Sequence, residues 1–284
     1  MQVCYKINPF LSFSIIIITI FFYRFLTQKP NILKPGFPSS FYDDDMQQDV
    51  SSLNIFVIGC GNCGMDLLIN ILHQEELFLT DLEKGISSST EQNSKTKLYF
   101  SRELFYSEEF FRTIHMHFQT VKFIVVVRDP VLRTMSEFRI NNPSLNLSEI
   151  WLQICEHNTI NVQHPYIKRS QYIKHLEKAR PYFVPEQFLV LDGQFIEEKP
   201  TTTISRVKKF IGLELRHKAY SKICLAYPDD CLQHENTFDI HRNKLKIHEL
   251  YEYFQPYNYE FYSTFNVNFR WSYLTSISQS RSDK

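Results

Sequence analysis

Apolar runs followed by helix-like segments recur along the middle of the chain. Leu53 to Ile58 is a short apolar run that ends at Gly59, and apolar residues then recur at helical spacing as far as Leu72. The segment from Val121 to Val127 is almost entirely apolar and β-branched, as a strand buried on both faces requires. Phe188 to Leu191 is a third apolar run. This alternation predicts an α/β fold with a parallel central sheet and flanking helices.

The N-terminal pattern is of another kind. Residues 9–26 are apolar almost throughout, and this length just suffices to cross a bilayer. A cleaved signal peptide is the alternative, but residues 27–30 offer no small-residue cleavage site. We therefore expect a signal anchor, although the positive charges on either side of it leave its orientation open.

Five segments follow from these patterns. They are a short N-terminal tail (1–8), a signal anchor or transmembrane helix (9–26), a polar stem (27–50), one α/β domain (51–275) and a C-terminal tail (276–284). The stem contains several prolines and the run Asp43-Asp44-Asp45, which is not typical of a packed element.

Charge and glycine content narrow the possible functions. The chain has 31 basic and 31 acidic residues, which argues against a strongly basic nucleic-acid-binding domain, and an anionic ligand needs a local cluster. Aromatic residues make up 15% of the chain, which predicts an aromatic core. Only 7 of 284 residues are glycine, and three of these lie between positions 59 and 64. Their concentration there indicates a backbone requirement.

The turn Gly59-Cys60-Gly61-Asn62-Cys63-Gly64 lies between a predicted strand and a predicted helix. Such a turn is an anion cradle, because its backbone N–H groups and the helix N-terminus both favour a phosphate. It also spells the dinucleotide-binding pattern G-x-G-x-x-G, and Leu77 to Asp81 would supply the second strand ending in an acid. A tight turn without a ligand remains a third interpretation.

Cys60 and Cys63 form a C-x-x-C pair inside this turn. A redox pair is one interpretation, since a helix N-terminus lowers the pKa of a thiol. A zinc site would need two more ligands at similar spacing, and the sequence has no second pair. The spacing favours two small turn residues and no metal.

Arg128 follows the second predicted strand, and Asp129 and Pro130 are residues that cap and open a helix. Ser136 lies on that predicted helix. Ligands of α/β proteins bind at the carboxyl ends of parallel strands, where an arginine and a hydroxyl suit a phosphate. The alternative is an Arg128–Asp129 ion pair with Ser136 as an ordinary helix residue.

Two further features fit a lumenal address. Cys224 and Cys231 are close enough along the chain for a disulfide in an oxidising compartment. Asn146 begins the only usable N-glycosylation acceptor.

The chain resembles the heparan sulfate sulfotransferases, Golgi type II enzymes that move a sulfuryl group from PAPS (3′-phosphoadenosine 5′-phosphosulfate) to glucosamine units. The resemblance runs from about Leu53 to Trp271. It is carried by Ile55–Gly59 with Gly64, Val125–Val131 with Arg133 and Ser136, Arg169–Tyr172, Phe210–Leu213, Cys224 with Cys231, Tyr253–Phe254, and Phe269–Trp271. It implies a P-loop-like sulfotransferase fold, PAPS as co-substrate without a metal, a glycosaminoglycan acceptor, no nucleic-acid partner, and a single-pass Golgi membrane protein with a lumenal domain.

The resemblance also assigns residues. The nucleotide-binding positions are Gly59, Gly61, Asn62, Cys63, Gly64, Met65, Arg128 and Ser136. Lys95 corresponds to a family substrate-site lysine, and Cys224 and Cys231 to the family disulfide.

The departures from the family fall on its chemistry. Asn62 stands where the family has a loop lysine, Met65 replaces a threonine, and the segment between Leu72 and Tyr99 lacks the general-base motif. The remaining candidate bases are His73, Glu75, Glu76 and Asp81. We therefore expect a sulfotransferase with impaired catalysis. A non-catalytic nucleotide- or glycan-binding protein of the same fold is the first alternative, and a Rossmann NAD(P)-binding oxidoreductase is the second.

Overall fold

A computed structural model describes residues 53–75, 77, 79–82, 86–87, 96–118, 120–145, 147–156, 159–213 and 244–271. The predicted anchor (9–26), stem (27–50) and C-terminal tail (276–284) lie outside these ranges. Within them, no helix combines the length and the hydropathy that a membrane span needs.

Among the described residues, the central sheet has six strands in the order β3-β2-β4-β1-β5-β8. Their bounds are β1 Leu53–Gly59, β2 Leu79–Asp81, β3 Ile86–Ser87, β4 Thr96–Ser101, β5 Val121–Val127 and β8 Phe188–Asp192. Every neighbouring pair is parallel except β2 with β3. The short strands β6 (Cys155–Glu156) and β7 (Thr159–Ile160) form a separate antiparallel pair. The predicted parallel α/β sheet is confirmed.

Nine α-helices accompany the strands in the described ranges. They are α1 Met65–Gln74, α2 Glu108–His117, α3 Pro130–Asn141, α4 Leu147–Ile154, α5 Pro165–Arg169, α6 Tyr172–Leu176, α7 Gly193–Glu198, α8 Pro200–Ile211 and α9 Lys244–Phe265. The predicted strands at 53–58, 121–127 and 188–191 are confirmed to within one residue, and the predicted start of α3 at Pro130 is confirmed.

The core is aromatic, as the composition predicts. Phe56 of β1 lies among Tyr99, Phe110, Phe118 and Phe123, with ring centroids 5.0 to 5.9 Å apart. All five side chains are less than 9% exposed. Rings of this size bury large apolar areas and hold the central strands against α2.

The strand order argues against the dinucleotide-binding alternative. That alternative needs the strand after α1 to lie beside β1, so that its terminal acid faces the glycine turn. In the structure β2 does end in Asp81, but β4 separates it from β1. The sequence could not show this, because the inserted strand comes later in the chain.

Candidate nucleotide-binding site

Backbone geometry explains two of the three glycines in the turn after β1. A Cβ on Gly59 would lie 2.5 Å from the carbonyl oxygen of Val126 in the neighbouring strand. Gly64 has φ +83° and forms the N-cap of α1. Asn62 also has a positive φ, 62°, which asparagine tolerates better than most residues. Few other residue types could therefore take the places of Gly59, Asn62 and Gly64 in this turn.

Gly193 is a part of this turn that the sequence did not reveal. It begins α7 directly after β8, and a Cβ there would overlap the carbonyl oxygen of Cys63. A Cβ on Gly64 would in turn lie 3.2 Å from the Cα of Gly193. The two backbones touch because both residues lack side chains. A glycine directly after a predicted strand, in a chain with so few glycines, was the available signal.

Three helices begin at this carboxyl edge of the sheet, and they differ in their first turns. Asp129 caps α3 by accepting hydrogen bonds from the N–H groups of Val131 and Leu132, at 2.8 and 3.2 Å. Asp192 caps α7 by accepting one from Gln194, at 2.8 Å. The N-cap of α1 is Gly64, which has no side chain to accept such a bond. Of these three helix starts, α1 is the one left open to an external anion.

Arg128 connects the end of β5 to the turn. Its side chain is buried, and its Nη1 donates to the carbonyl oxygen of Asn62 at 3.4 Å. Burial raises the pKa of Asp192, and the positive charge of Arg128 partly opposes that effect. Asp129 meanwhile accepts from the α3 backbone and from the Tyr251 hydroxyl, at 2.9 Å. Arg128 therefore lies at the end of β5 as predicted, and its Nη1 contacts the turn.

Ser136 lies six residues after Pro130 and is half-buried on α3. At 1.5 Å per residue this is about 9 Å along the helix from its first residue. The predicted placement on this helix is confirmed. Its role in holding a phosphate stays a prediction.

The C-terminal part of the chain binds the two capping aspartates. The Tyr251 hydroxyl donates to Asp129, and the Trp271 indole donates to Asp192 at 2.6 Å. Burial raises the pKa of Asp129 to about 7 even though three donors surround it, and burial also raises the pKa of Asp192. Sequence reasoning missed these bonds, since Tyr251 and Trp271 are far along the chain from their partners.

The Arg169–Tyr172 segment, which contributes to the family resemblance, packs against the same edge. The Tyr172 hydroxyl donates to the carbonyl oxygen of Arg128 at 2.7 Å. Ser170 accepts a hydrogen bond from the fully buried Arg133 at 2.9 Å, and Arg133 also pairs with Glu137 at 2.5 Å. These bonds fix α5 and α6 on α3, beside Arg128.

Cys60 and Cys63 form a disulfide across the turn, with their Cα atoms 5.6 Å apart. The sequence favoured two small turn residues over a redox pair, and the structure corrects this. Both cysteines are 1% exposed. A disulfide-exchange catalyst needs an accessible sulfur, so this bond has the burial of a structural link.

The candidate bases differ in how far they lie from the turn. His73 and Glu75 lie at the C-terminal end of α1, far from the turn, and Glu75 is buried in an ion pair with Lys208 of α8. Asp81 is the last residue of β2, so it lies at the carboxyl edge of the sheet, and it is buried. Asp66, in the first turn of α1, pairs with Arg102 after β4. Among the candidate bases that the structure describes, Asp81 is the one at this edge.

Several predicted residues lie outside the described residues: Glu76, Lys95, Asn146, Cys224 and Cys231. Their roles stay predictions. Within the described ranges no group of three or more histidine, cysteine, aspartate or glutamate side chains is arranged to hold a metal ion.

Comparison with known proteins identifies the class. The sulfotransferase domain model matches residues 54–228, more than half of the chain. The chain therefore belongs to the sulfotransferase domain family, and the predicted fold and family are confirmed. A solved sulfotransferase from Alicyclobacillus acidocaldarius has the same fold, with a TM-score of 0.54, 13% identity, and coverage of 76% of this chain and 96% of that one.

Relatives of known activity agree with the resemblance to heparan sulfate sulfotransferases. The human heparan sulfate glucosamine 3-O-sulfotransferase 5 is 26% identical over 189 residues, covering 59% of this chain and 54% of the relative. The human bifunctional heparan sulfate N-deacetylase/N-sulfotransferase 3 is 41% identical over 51 residues, covering 18% of this chain and 6% of the relative. The chain thus spans about half the length of the 3-O-sulfotransferase that it matches.

Proposed function

We propose that this protein binds PAPS at the turn between β1 and α1 and transfers its sulfuryl group to a glycosaminoglycan of the heparan sulfate type. The observation that carries the proposal is the open N-terminus of α1, beside two helices that cap themselves with aspartate. The names of the relatives support the acceptor class. The same proposal includes a membrane anchor at residues 9–26 that places the domain in the Golgi lumen.

The turn fits the phosphosulfate end of the nucleotide. At Gly61 a Cβ would meet no atom within 4 Å, so the backbone there is open to an incoming group. Helix N-termini and glycine turns bind phosphate through backbone N–H groups and the helix dipole. Arg128 supplies a fixed positive charge next to this turn, since its guanidinium contacts Asn62. Arg128 and Ser136 are the proposed contacts for the 3′-phosphate.

Transfer requires charge stabilisation and a proton acceptor. The acceptor oxygen or nitrogen attacks sulfur, the bond from sulfur to the bridging oxygen breaks, and negative charge develops on that oxygen. Asn62 is exposed at the position of the family lysine and offers a neutral amide. Losing one preorganised charged donor typically costs about 10²–10³ in rate. We therefore expect slow turnover.

Asp81 is the proposed base for the acceptor proton. Its place at the end of β2 puts a carboxylate on the same sheet edge as the turn. Asp81→Asn should lower turnover at least about 10²-fold and leave nucleotide affinity unchanged. Glu186→Gln is the matched control, because Glu186 is exposed at the opposite end of β8.

The deciding assay is sulfuryl transfer from radiolabelled PAPS to heparosan, paired with calorimetric titration of 3′-phosphoadenosine 5′-phosphate. Label in the polysaccharide that depends on Asp81 supports the enzyme. Nucleotide binding without transfer supports the alternative of a non-catalytic binding protein, which the asparagine at the position of the family lysine favours. Absence of both binding and transfer would contradict the proposed function.

A further inference from the structure

The disulfide between Cys60 and Cys63 encloses the two least constrained residues of the nucleotide turn. Gly61 has open space where a side chain would be, and Asn62 is exposed with a positive φ. The hydrogen bond from Arg128 to Asn62 is long, at 3.4 Å. Packing alone therefore restrains this two-residue segment weakly.

Both ends of the segment are held, one by strand β5 and the other by the first residue of α7. The N–H of Cys60 donates to the carbonyl oxygen of Val126 at 3.3 Å, and the backbone of Cys63 packs against Gly193. The disulfide joins these two anchored ends at a Cα separation in the usual range for such bonds. It limits the conformations that Gly61 and Asn62 can adopt, and so it preorganises the backbone N–H groups of the turn.

We propose that this bond is a redox-controlled positioning site: the turn binds the nucleotide tightly when Cys60 and Cys63 are oxidised and weakly when they are reduced. The inference rests on the proposed function of the turn. Reduction by a dithiol breaks the sulfur–sulfur bond, places two electrons and two protons in the two thiols, and leaves the dithiol as its own disulfide. An oxidising compartment, where such bonds persist, keeps the site competent.

Linkage gives the proposal a second consequence. If oxidation tightens nucleotide binding by some factor, saturating nucleotide must favour the oxidised form by the same factor. Each tenfold change in affinity corresponds to about 30 mV in the reduction potential of the pair. Because both cysteines are 1% exposed, reduction also requires the turn to open, and bound nucleotide should slow it.

The experiment titrates full-length protein with 3′-phosphoadenosine 5′-phosphate before and after reduction. A Cys224→Ser, Cys231→Ser variant serves as the parent, so that reduction acts on the turn and not on the second cysteine pair. We expect reduction to weaken binding about tenfold, and Cys60→Ser, Cys63→Ser to weaken it equally without a reductant. Alkylation and mass spectrometry in dithiol buffers, with and without nucleotide, measure the linked shift in potential.

Equal affinity of the oxidised and reduced forms would overturn the proposal while leaving the nucleotide site intact. Alkylation of Cys60 and Cys63 in protein purified without a reductant would overturn it as well. If the oxidised parent is folded but binds no nucleotide, the proposed function fails, and the inference fails with it. If the Cys60→Ser, Cys63→Ser variant does not fold, the reduced and oxidised forms of the parent still give the comparison.

Discussion

Two kinds of strand end lie at the carboxyl edge of the sheet. Asp129, just after β5, and Asp192, the last residue of β8, cap the helices that follow, and Tyr251 and Trp271 bind those two carboxylates. β1 ends in a glycine turn, and α1 starts at Gly64 without a side-chain cap. The same strand–turn–helix unit is therefore satisfied internally in two places and open to an anion in the third. The choice of one residue, aspartate or glycine, decides which.

The largest predicted effect is the loss of stability when the contact between these two kinds of strand end is broken. Gly193→Ala places a Cβ against the carbonyl oxygen of Cys63, where only backbone could move aside. We expect a loss of about 3 kcal/mol in the free energy of unfolding, measured by urea denaturation.

Gly61→Ala is the control for that substitution, since a Cβ there meets nothing within 4 Å. It should change stability by less than about 0.5 kcal/mol. Equal effects of the two substitutions would show that the packing of Gly193 against the turn is not what stabilises the edge.

Removing the charge beside the open turn should have the next largest effect. Arg128→Ala should weaken binding of 3′-phosphoadenosine 5′-phosphate by about 1.5–3 kcal/mol, as expected for a charge-assisted hydrogen bond. The measurement is calorimetric titration, with Arg139→Ala as control because Arg139 is exposed on α3. Unchanged affinity in folded Arg128→Ala would refute its assignment to the site.

Local patterns predicted much of this edge. The apolar runs predicted β1, β5 and β8, and Asp129-Pro130 predicted the start of α3. Contacts between distant segments were not predictable, because they depend on the order of strands in the sheet. The insertion of β4 beside β1 is one example, and the approach of Gly193 to the turn is another. The disulfide was not predicted, because C-x-x-C spacing alone does not distinguish a bonded pair of cysteines from two small residues.

The buried carboxyl of Asp129, which caps α3, should make the stability of the protein depend on pH. Burial raises the pKa of Asp129 to about 7, so between about pH 4 and 7 the folded state keeps a proton that the unfolded state loses. Stability from this group is therefore present at low pH and falls as pH rises, by roughly 1 kcal/mol per pH unit.

Thermal unfolding of wild type and Asp129→Asn between pH 4 and 8 measures this effect. Burial lowers the pKa of His175 to about 4, which gives a slope of opposite sign below about pH 6.5. The readout is therefore the difference between the two proteins, which should decline with rising pH. Parallel curves would show that the carboxyl of Asp129 is ionised throughout.

The smallest predicted effect sharpens the comparison at the open turn. Asn62→Lys adds a positive charge where the family has one, at an exposed position with φ 62°. We expect about 1 kcal/mol of lost stability from the left-handed backbone, and about 1 kcal/mol of gained nucleotide affinity. Turnover should rise little. Asn62→Gly is the control, since it accepts this φ without adding charge. A large gain in turnover would show that the missing lysine alone limits catalysis.

The most direct test of the open turn is titration of the oxidised wild-type protein with 3′-phosphoadenosine 5′-phosphate. We expect saturable binding of one nucleotide per chain, weakened by salt and by Arg128→Ala. A folded protein that gives no binding heat up to millimolar nucleotide would contradict it.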